Sequence, residues 1–297
     1  MRIFVTGATG FIGSRVVTDL IGAGHQVIGA ARSDEGADRL RAAGAEVHIG
    51  TLEEPAGLAA GAEQADGVIH TAFDHDFSNF LANCEKDRRV IAALGDVLKG
   101  SDRPLLITSG VGMGIAAPGE LAREDVFNTE HPNPRIASEL AGAALLDQGL
   151  NVAVVRLPQV HDTERQGLIT YSVMLAREKG VSAYVGEGRT RWSAAPVADV
   201  ARLYRLALEK AQPGARYHAV AEEGVSAREI AEILGRGLGI PVVSLPKEEA
   251  MAHFGWMGMF ADLDLPASSA WTREALGWAP TGPSLAADLE GMFGLNG

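Results

Sequence analysis

The chain has 297 residues, of which 46% are hydrophobic and 22% are charged. It can therefore bury a full core, and it exceeds the usual size of a single domain. With 26 basic and 38 acidic side chains the net charge is −12, and such a surface repels nucleic-acid backbones and anionic lipid. We therefore expect no nucleic-acid and no membrane partner. The single cysteine, Cys84, excludes an intrachain disulfide and is typical of a reducing compartment, which predicts a cytoplasmic location.

Strands alternate with amphipathic segments over the first 160 residues, which is typical of a parallel sheet covered on both faces. Short β-rich runs bounded by turn residues predict six strands, at residues 2–6, 26–31, 46–49, 67–71, 104–108 and 151–156. Beyond residue 157 the alternation becomes irregular. There the pattern predicts helices at 167–179, 196–210 and 227–238, strands at 183–185, 216–221 and 241–245, and two or three short helices at the end.

A glycine-rich segment, TGATGFIG, follows the first predicted strand at residues 6–13 and opens the first helix. Gly7 permits the tight turn, Gly10 lets the backbone approach a pyrophosphate, and Gly13 lets helix and strand pack closely. The free N–H groups and the positive dipole of the helix start then favour phosphate. We therefore expect the backbone or side chains of six residues to contact a dinucleotide: Gly7, Thr9, Gly10, Phe11, Ile12 and Gly13.

This motif and the alternation together predict an α/β fold, a Rossmann-type doubly wound parallel sheet with a smaller C-terminal α/β substrate lobe. We expect residues 1–160 to form the dinucleotide-binding domain, to which later segments return. Residues 161–297 are expected to form mainly the substrate lobe.

The end of the second predicted strand indicates which dinucleotide binds. An NAD site places a carboxylate there, whereas an NADP site places an arginine for the 2′-phosphate. The chain has Ala31 at that position, followed by Arg32 and Ser33. A charged hydrogen bond would favour NADP(H) by about 10- to 100-fold, so NADP(H) is the predicted cofactor. Asp34 is expected to cap the next helix.

Further segments occur along the chain in a fixed order: VIHTA at 68–72, ITSG at 107–110, RLPQVH at 156–161, VADVA at 197–201 and LGWAP at 276–280. With the glycine loop they resemble the extended and atypical short-chain dehydrogenases/reductases, which include nucleotide-sugar epimerases and dehydratases. The resemblance spans nearly the whole chain. It implies that Ser109 is the active-site serine. It also implies cofactor contacts at Thr51, Leu52, Thr71, Ala72, Phe73, Thr108, Pro158 and Val160.

The chain departs from this family at the catalytic Tyr and Lys, which the family places four residues apart on one helix. None of its four tyrosines, Tyr171, Tyr184, Tyr204 and Tyr217, has a lysine four residues later. Alignment of residues 133–139 puts Arg135 at the Tyr position and Glu139 at the Lys position. Asn133 is the expected cap of that helix, with Pro134 in its first turn.

Two interpretations of this altered pair stay open. The residues could form an ion pair with each other at i,i+4 spacing, worth a few tenths of a kcal/mol. Alternatively, Glu139 accepts hydrogen bonds from the cofactor ribose while Arg135 faces the substrate as a fixed cation that polarises a carbonyl. Arginine is not a practical proton donor, because its pKa lies above about 12.

Other polar residues are candidates for the substrate side of the cleft. His161 titrates near neutral pH and is the predicted proton donor. Tyr171, Arg191 and His75 are predicted substrate contacts, Arg191 as a diphosphate ligand. No cluster has metal-ligand spacing, so no metal is predicted.

These features predict an NADPH-dependent reductase that transfers hydride to an aldehyde or ketone, with Ser109 holding the carbonyl oxygen. One alternative is a nucleotide-sugar epimerase or dehydratase, which needs a base where Arg135 stands. The other is a non-catalytic NADP(H)-binding redox sensor. The expected partner is a small carbonyl compound, and a homodimer is the assembly to test.

Overall fold

The computed structural model describes residues 1–295. All six predicted strands of the first half are present, with ends that differ from the prediction by at most two residues. The elements of this half are β1 (Arg2–Thr6), α1 (Phe11–Gly22), β2 (Gln26–Ala31), α2 (Asp34–Ala42), β3 (Glu46–Ile49), α3 (Pro55–Glu63), β4 (Gly67–His70), α4 (Phe80–Asp96), β5 (Leu105–Gly110), α5 (Ile136–Leu146) and β6 (Val152–Leu157).

The second half contains more short strands than the sequence pattern predicts, namely β7, β9 and β11. Its elements are β7 (Gln159–His161), α6 (Ile169–Lys179), β8 (Ser182–Val185), β9 (Arg191–Pro196), α7 (Val197–Lys210), β10 (Arg216–His218), β11 (Glu222–Ser226), α8 (Ala227–Leu238), β12 (Val242–Leu245), α9 (Ala250–Phe254), α10 (Gly258–Ala261), α11 (Ala270–Leu276) and α12 (Leu285–Met292). The predicted strand at 216–221 is interrupted because the chain there leaves one sheet for another. Ala219 N–H donates to Arg156 at 3.0 Å, whereas Ala221 N–H donates to Ala194 of β9 at 2.9 Å.

Seven parallel strands form the main sheet, in the order β3-β2-β1-β4-β5-β6-β10. The order reverses between β1 and β4, and a ligand crevice opens at such a switch point, at the carboxyl ends of the strands. The fold is therefore the predicted Rossmann-type α/β fold. Two smaller sheets, β7-β9-β11 and β8-β12, belong to the second half.

Helices cover both faces of the main sheet. One apolar core includes Leu58, Val90 and Leu145 from α3, α4 and α5, and the other includes residues of α1 and α7. Helix α7 packs there because its apolar residues, among them Leu203 and Leu208, recur on one helical face. A third core lies between α6, α8 and α12. Among the described helices, none combines the length and the apolar character that crossing a bilayer requires.

Candidate functional site

The glycine loop closes tightly against the end of β4. Gly7 has a φ of 66°, and a Cβ there would lie 2.7 Å from the Ala72 nitrogen. A Cβ on Gly13 would overlap the Gly7 carbonyl, so helix and loop touch backbone to backbone. Gly10 is exposed and stands at the cap of α1, where a Cβ would meet only the Gly7 oxygen within 4 Å. The loop thus leaves an open cradle at a helix start, which fits a pyrophosphate.

The end of β2 presents one unpaired cation. Ala31 is buried, whereas Arg32 is exposed, and its guanidinium has no hydrogen bond or ion pair within the described residues. Ser33, not Asp34, caps α2, since its Oγ accepts from Gly36 N–H at 3.2 Å. The expected cap was wrong by one residue, and the Ser33 hydroxyl keeps its own proton free to donate.

A cavity of about 260 Å³ lies beside the glycine loop. Its lining includes Thr9, Gly10 and Phe11 together with Arg39 of α2 and Arg165 from the loop after β7. Across residues 1–295, neither of these two guanidinium groups has a partner. Neither Arg39 nor Arg165 was predicted from the sequence, although Arg39 stands only seven residues after Arg32. The lining also contains Asp162, which pairs with Arg15 at 3.5 Å, and Glu164, so the cavity holds charges of both signs with Arg39 and Arg165 left unpaired.

The ends of β1 and β4 are joined by side-chain bonds. The Thr71 hydroxyl donates to the Thr6 carbonyl at 2.7 Å, and Ala72 N–H donates to Thr6 Oγ1 at 3.3 Å. His70 Nδ1 lies 2.7 Å from the same hydroxyl. Thr71 and Ala72 are half-buried at this edge, where the predicted cofactor groove runs.

Four other predicted cofactor residues differ in how far they are buried. Thr51 and Leu52 follow β3 and are half-buried, as is Pro158. Val160, in contrast, is 5% exposed and belongs to the main core. Its side chain is therefore packed in the core, and the predicted contact with a cofactor is left to the Val160 backbone.

Arg135 is bound within the protein by a buried carboxylate. Its guanidinium lies 2.6 Å from Asp87 Oδ2, donates to the Thr108 carbonyl at 2.8 Å and stacks over Phe73 with 4.1 Å to the ring centroid. Asp87, which is 1% exposed, also accepts from Ser138 Oγ at 2.5 Å. Burial alone would raise the pKa of Asp87, but the Arg135 cation and a hydrogen bond from His70 hold that pKa well below its ordinary value.

Glu139 is sealed in a second buried ion pair. Both of its oxygens accept from Arg156 of β6 at 2.8 Å, and both side chains are 0% exposed. Arg216 lies 3.3 Å from the same carboxylate. Arg156 also donates to the Val126 carbonyl at 2.9 Å, so the pair ties the loop before α5 to the sheet.

Both interpretations of the altered pair therefore need correction. Arg135 and Glu139 do not bind each other, because each has a different buried partner. Glu139 is closed off from the crevice, so it does not serve a cofactor ribose. Helix α5 also begins at Ile136 rather than at Pro134, and the Asn133 side chain accepts only from Arg135 N–H, at 2.9 Å.

Ser109 stands near the carboxyl end of β5 beside this network. It is 3% exposed, and its Oγ has no hydrogen-bond partner within the described part of the chain. The neighbouring Thr108 hydroxyl is already committed, since it donates to the His70 carbonyl and lies 2.7 Å from Tyr204 Oη. The Thr108 hydroxyl therefore has two partners within the protein, and the predicted cofactor contact of this residue stays a prediction. An unpaired buried hydroxyl is unusual in a native structure and often marks a functional position.

The predicted substrate-side residues do not all meet. His161 is fully buried and its Nδ1 lies 2.7 Å from Asp288 of α12, so it has no surface exposed to a substrate, although its Nε2 has no hydrogen-bond partner within the described residues. Arg191 is bound by Asp264 at 2.7 Å. Tyr171 is 39% exposed, and its ring centroid lies 5.0 Å from that of Trp256. His75 lies at the exposed surface with its ring 5.4 Å from that of Phe73.

A glycine loop at the switch point of a parallel sheet, with a serine near the end of β5, defines a nicotinamide-dinucleotide protein of the extended short-chain dehydrogenase/reductase class. The NAD dependent epimerase/dehydratase family matches residues 3–221, and the chain belongs to that family. Its members bind NAD or NADP.

The chain is also similar to individual proteins and solved structures. An uncharacterised protein of Schizosaccharomyces pombe is 47% identical over 290 residues, covering 97% of this chain and 98% of that protein. Vestitone reductase of Medicago sativa is 26% identical over 258 residues, covering 73% and 76%. The structure of the dTDP-glucose 4,6-dehydratase DesIV from Streptomyces venezuelae, with NAD bound, has the same fold. It has a TM-score of 0.77 and 19% identity, and covers 100% of this chain and 98% of that one.

Proposed function

We propose that the protein is an NADPH-dependent reductase of aldehydes or ketones. The observation that carries the proposal is the group at the Tyr position. Arg135 is a permanent cation paired with Asp87, so it cannot remove a proton from an alcohol. Reduction also lacks the family's proton donor here, but the alkoxide that hydride transfer produces is a strong base that water or a histidine can protonate, whereas an alcohol is not deprotonated without a base.

The residues at the cofactor edge support NADP(H) over NAD(H). The Gly7–Gly13 loop and the start of α1 would hold the pyrophosphate, and the unpaired Arg32 with Ser33 would hold the 2′-phosphate. When bound, the reduced nicotinamide supplies the hydride. NADPH, one proton and the carbonyl compound then give NADP⁺ and the alcohol.

Ser109 is the proposed donor to the substrate oxygen. Its unpaired hydroxyl would stabilise the negative charge that grows on that oxygen as the carbonyl carbon is reduced. The proton comes from water or from His75, which lies next to Phe73 on the same edge. Although part of His75 stays exposed, packing against neighbouring rings removes part of its hydration. This loss, and next the Arg135 cation, lower the pKa of His75 below its ordinary value, so its acid form loses a proton readily.

The epimerase alternative is disfavoured by two side chains. Those reactions begin with oxidation of an alcohol, which needs a base to remove the hydroxyl proton. This site has Arg135 at the position of that base. Arg191, the expected diphosphate ligand, already forms two hydrogen bonds to the Asp264 carboxylate.

The absorbance of NADPH, followed with a panel of aldehydes and ketones, tests the proposal directly, with cofactor affinity measured beside it. Consumption of NADPH that depends on the carbonyl compound supports the reductase. The buried pairing of Arg135 also suits a protein that binds NADP(H) as a sensor without turnover. Tight cofactor binding with no consumption across the panel would favour that second function.

A further inference from the structure

A continuous cluster of aromatic rings crosses from the cofactor edge to the second lobe. We call it the aromatic wall, and it consists of Phe73, Phe77, Phe80, Tyr171, Trp256 and Phe260. Phe77 stacks on Trp256, with 4.6 Å between the ring centroids and 13° between the planes. Tyr171 meets the same indole edge-on at 5.0 Å. The wall therefore joins the segment after β4 to α6 and to the segment around α9 and α10.

One end of the wall lies beside the reacting groups of the proposed function. Phe73 follows the end of β4 and is covered by the Arg135 guanidinium at 4.1 Å. That guanidinium is hydrogen-bonded to the carbonyl of Thr108, the residue before Ser109. A molecule whose carbonyl reaches Ser109 would thus extend along these rings.

The segment that carries Phe77 is held in place before any ligand arrives. Asp76 caps the short helix at Phe77–Asn79 by accepting from Ser78 N–H at 3.0 Å. The Asn83 side chain donates to the Asp76 carbonyl at 2.8 Å. Because this apolar surface is already ordered, binding of a ligand to it loses little conformational entropy.

The segment on the other side has an unusual composition for a surface. Residues 250–261, AMAHFGWMGMFA, contain no Asp, Glu, Lys or Arg in a chain that is 22% charged. Met251, Trp256 and Met259 in this segment are nevertheless 57%, 39% and 53% exposed. Exposed methionine and aromatic side chains without charge are typical of a surface that binds apolar ligands of varied shape.

We propose that the aromatic wall is the substrate-recognition surface and that the substrates are planar aromatic carbonyl compounds. The inference rests on the proposed reductase function and names its substrate class. The stack joins the segment after β4 to the segment around Trp256, so a ligand that reaches Ser109 would contact rings from both segments. Nucleotide sugars fit poorly here, because Arg191 is bound by Asp264 and the wall itself offers rings rather than cations.

A binding experiment separates recognition from turnover. We would titrate the protein, saturated with NADP⁺, with 2-acetonaphthone by calorimetry, because this oxidised cofactor cannot donate a hydride to the ketone. The saturated compound decahydro-2-acetonaphthone has the same carbon skeleton without the planar rings. We expect the planar ketone to bind about 3- to 10-fold more tightly, as ring stacking predicts.

Two matched variants locate the effect. Trp256→Leu should weaken binding of 2-acetonaphthone about 3- to 10-fold. Trp271→Leu should leave it unchanged, although Trp271 is similarly exposed at 38% and stacks on Tyr217 at 5.5 Å outside the crevice. Phe77→Leu should behave as Trp256→Leu does.

The outcomes are distinct. Equal effects of the two tryptophan variants, no preference for the planar ketone, or no ketone binding at all would overturn the inference. A change of oligomeric state in Trp256→Leu with unaltered ketone affinity would show instead that this surface binds a second copy. If the Trp256-dependent binding is present but NADPH is never consumed, the reductase function fails while the recognition surface stands.

Discussion

Restoring the family's Tyr and Lys should unfold this protein rather than activate it. In Arg135→Tyr the Asp87 carboxylate, which is 1% exposed, loses its cation at 2.6 Å. Removing one partner of a buried pair costs about 3–5 kcal/mol. Glu139→Lys would place a cation against Arg156, which is 0% exposed, at a similar cost. The two positions are i,i+4 neighbours, so their losses need not add, but the double variant should lose at least about 3–5 kcal/mol out of a total of about 5–15 kcal/mol for a typical protein.

Urea unfolding of Arg135→Tyr measures how much free energy of unfolding is lost when the Arg135–Asp87 pair is broken. Arg123→Tyr is the matched control, because Arg123 pairs with Asp125 where both side chains are over 60% exposed, and such pairs contribute at most about 1 kcal/mol. Adding Asp87→Asn to Arg135→Tyr should restore about 1–3 kcal/mol, since it removes the unpaired charge.

The pH dependence gives an independent check. In the native chain the pKa of Asp87 is lowered, so its contribution to stability is present above its unfolded pKa of about 3.9 and is lost as pH falls further. In Arg135→Tyr burial would raise that pKa instead, and the variant should lose stability as pH rises above about 4. An Arg135→Tyr variant with native stability and raised kcat would refute this account of the site.

Three further predictions concern the proposed reaction. NADP(H) should bind at least about tenfold more tightly than NAD(H), and Arg32→Ala should erase most of that gap; equal affinities in the native chain would contradict the cofactor assignment. Ser109→Ala should lower kcat about 10- to 1000-fold with NADPH affinity unchanged, and full turnover would show that this serine does not touch the substrate. If His75 supplies the proton, kcat/KM should fall as pH rises through a value below about 6.5, and His75→Gln should flatten the profile; an unaltered profile would leave water as the donor.

The sequence predicted well wherever local pattern controls structure. The six strands of the first half and the glycine loop were found because period, turn residues and backbone sterics act within a few residues. The cap of α2 was missed by one residue, because serine and aspartate at adjacent positions are almost equally good caps.

The candidate site was predicted only in part, because its charges pair over long sequence distances. Asp87 stands 48 residues before Arg135 in a helix with several other charged residues on either side of it, so nothing in the local sequence distinguishes it. His161 resembled a proton donor in the sequence, but its partner Asp288 lies 127 residues away. The stack of Phe77 on Trp256 likewise joins two halves of the chain.

By itself, then, the sequence determined the parallel α/β sheet, the phosphate-binding loop and the absence of the Tyr and Lys pair. Each of these features follows from residue types at short sequence spacings. The sequence also places Arg135 and Glu139 at the positions of that pair, but only the tertiary structure decided their partners, Asp87 for the cation and Arg156 for the carboxylate. The physical reason is that a charge acts according to its partner and its exposure to water, and the fold sets both by bringing distant segments together.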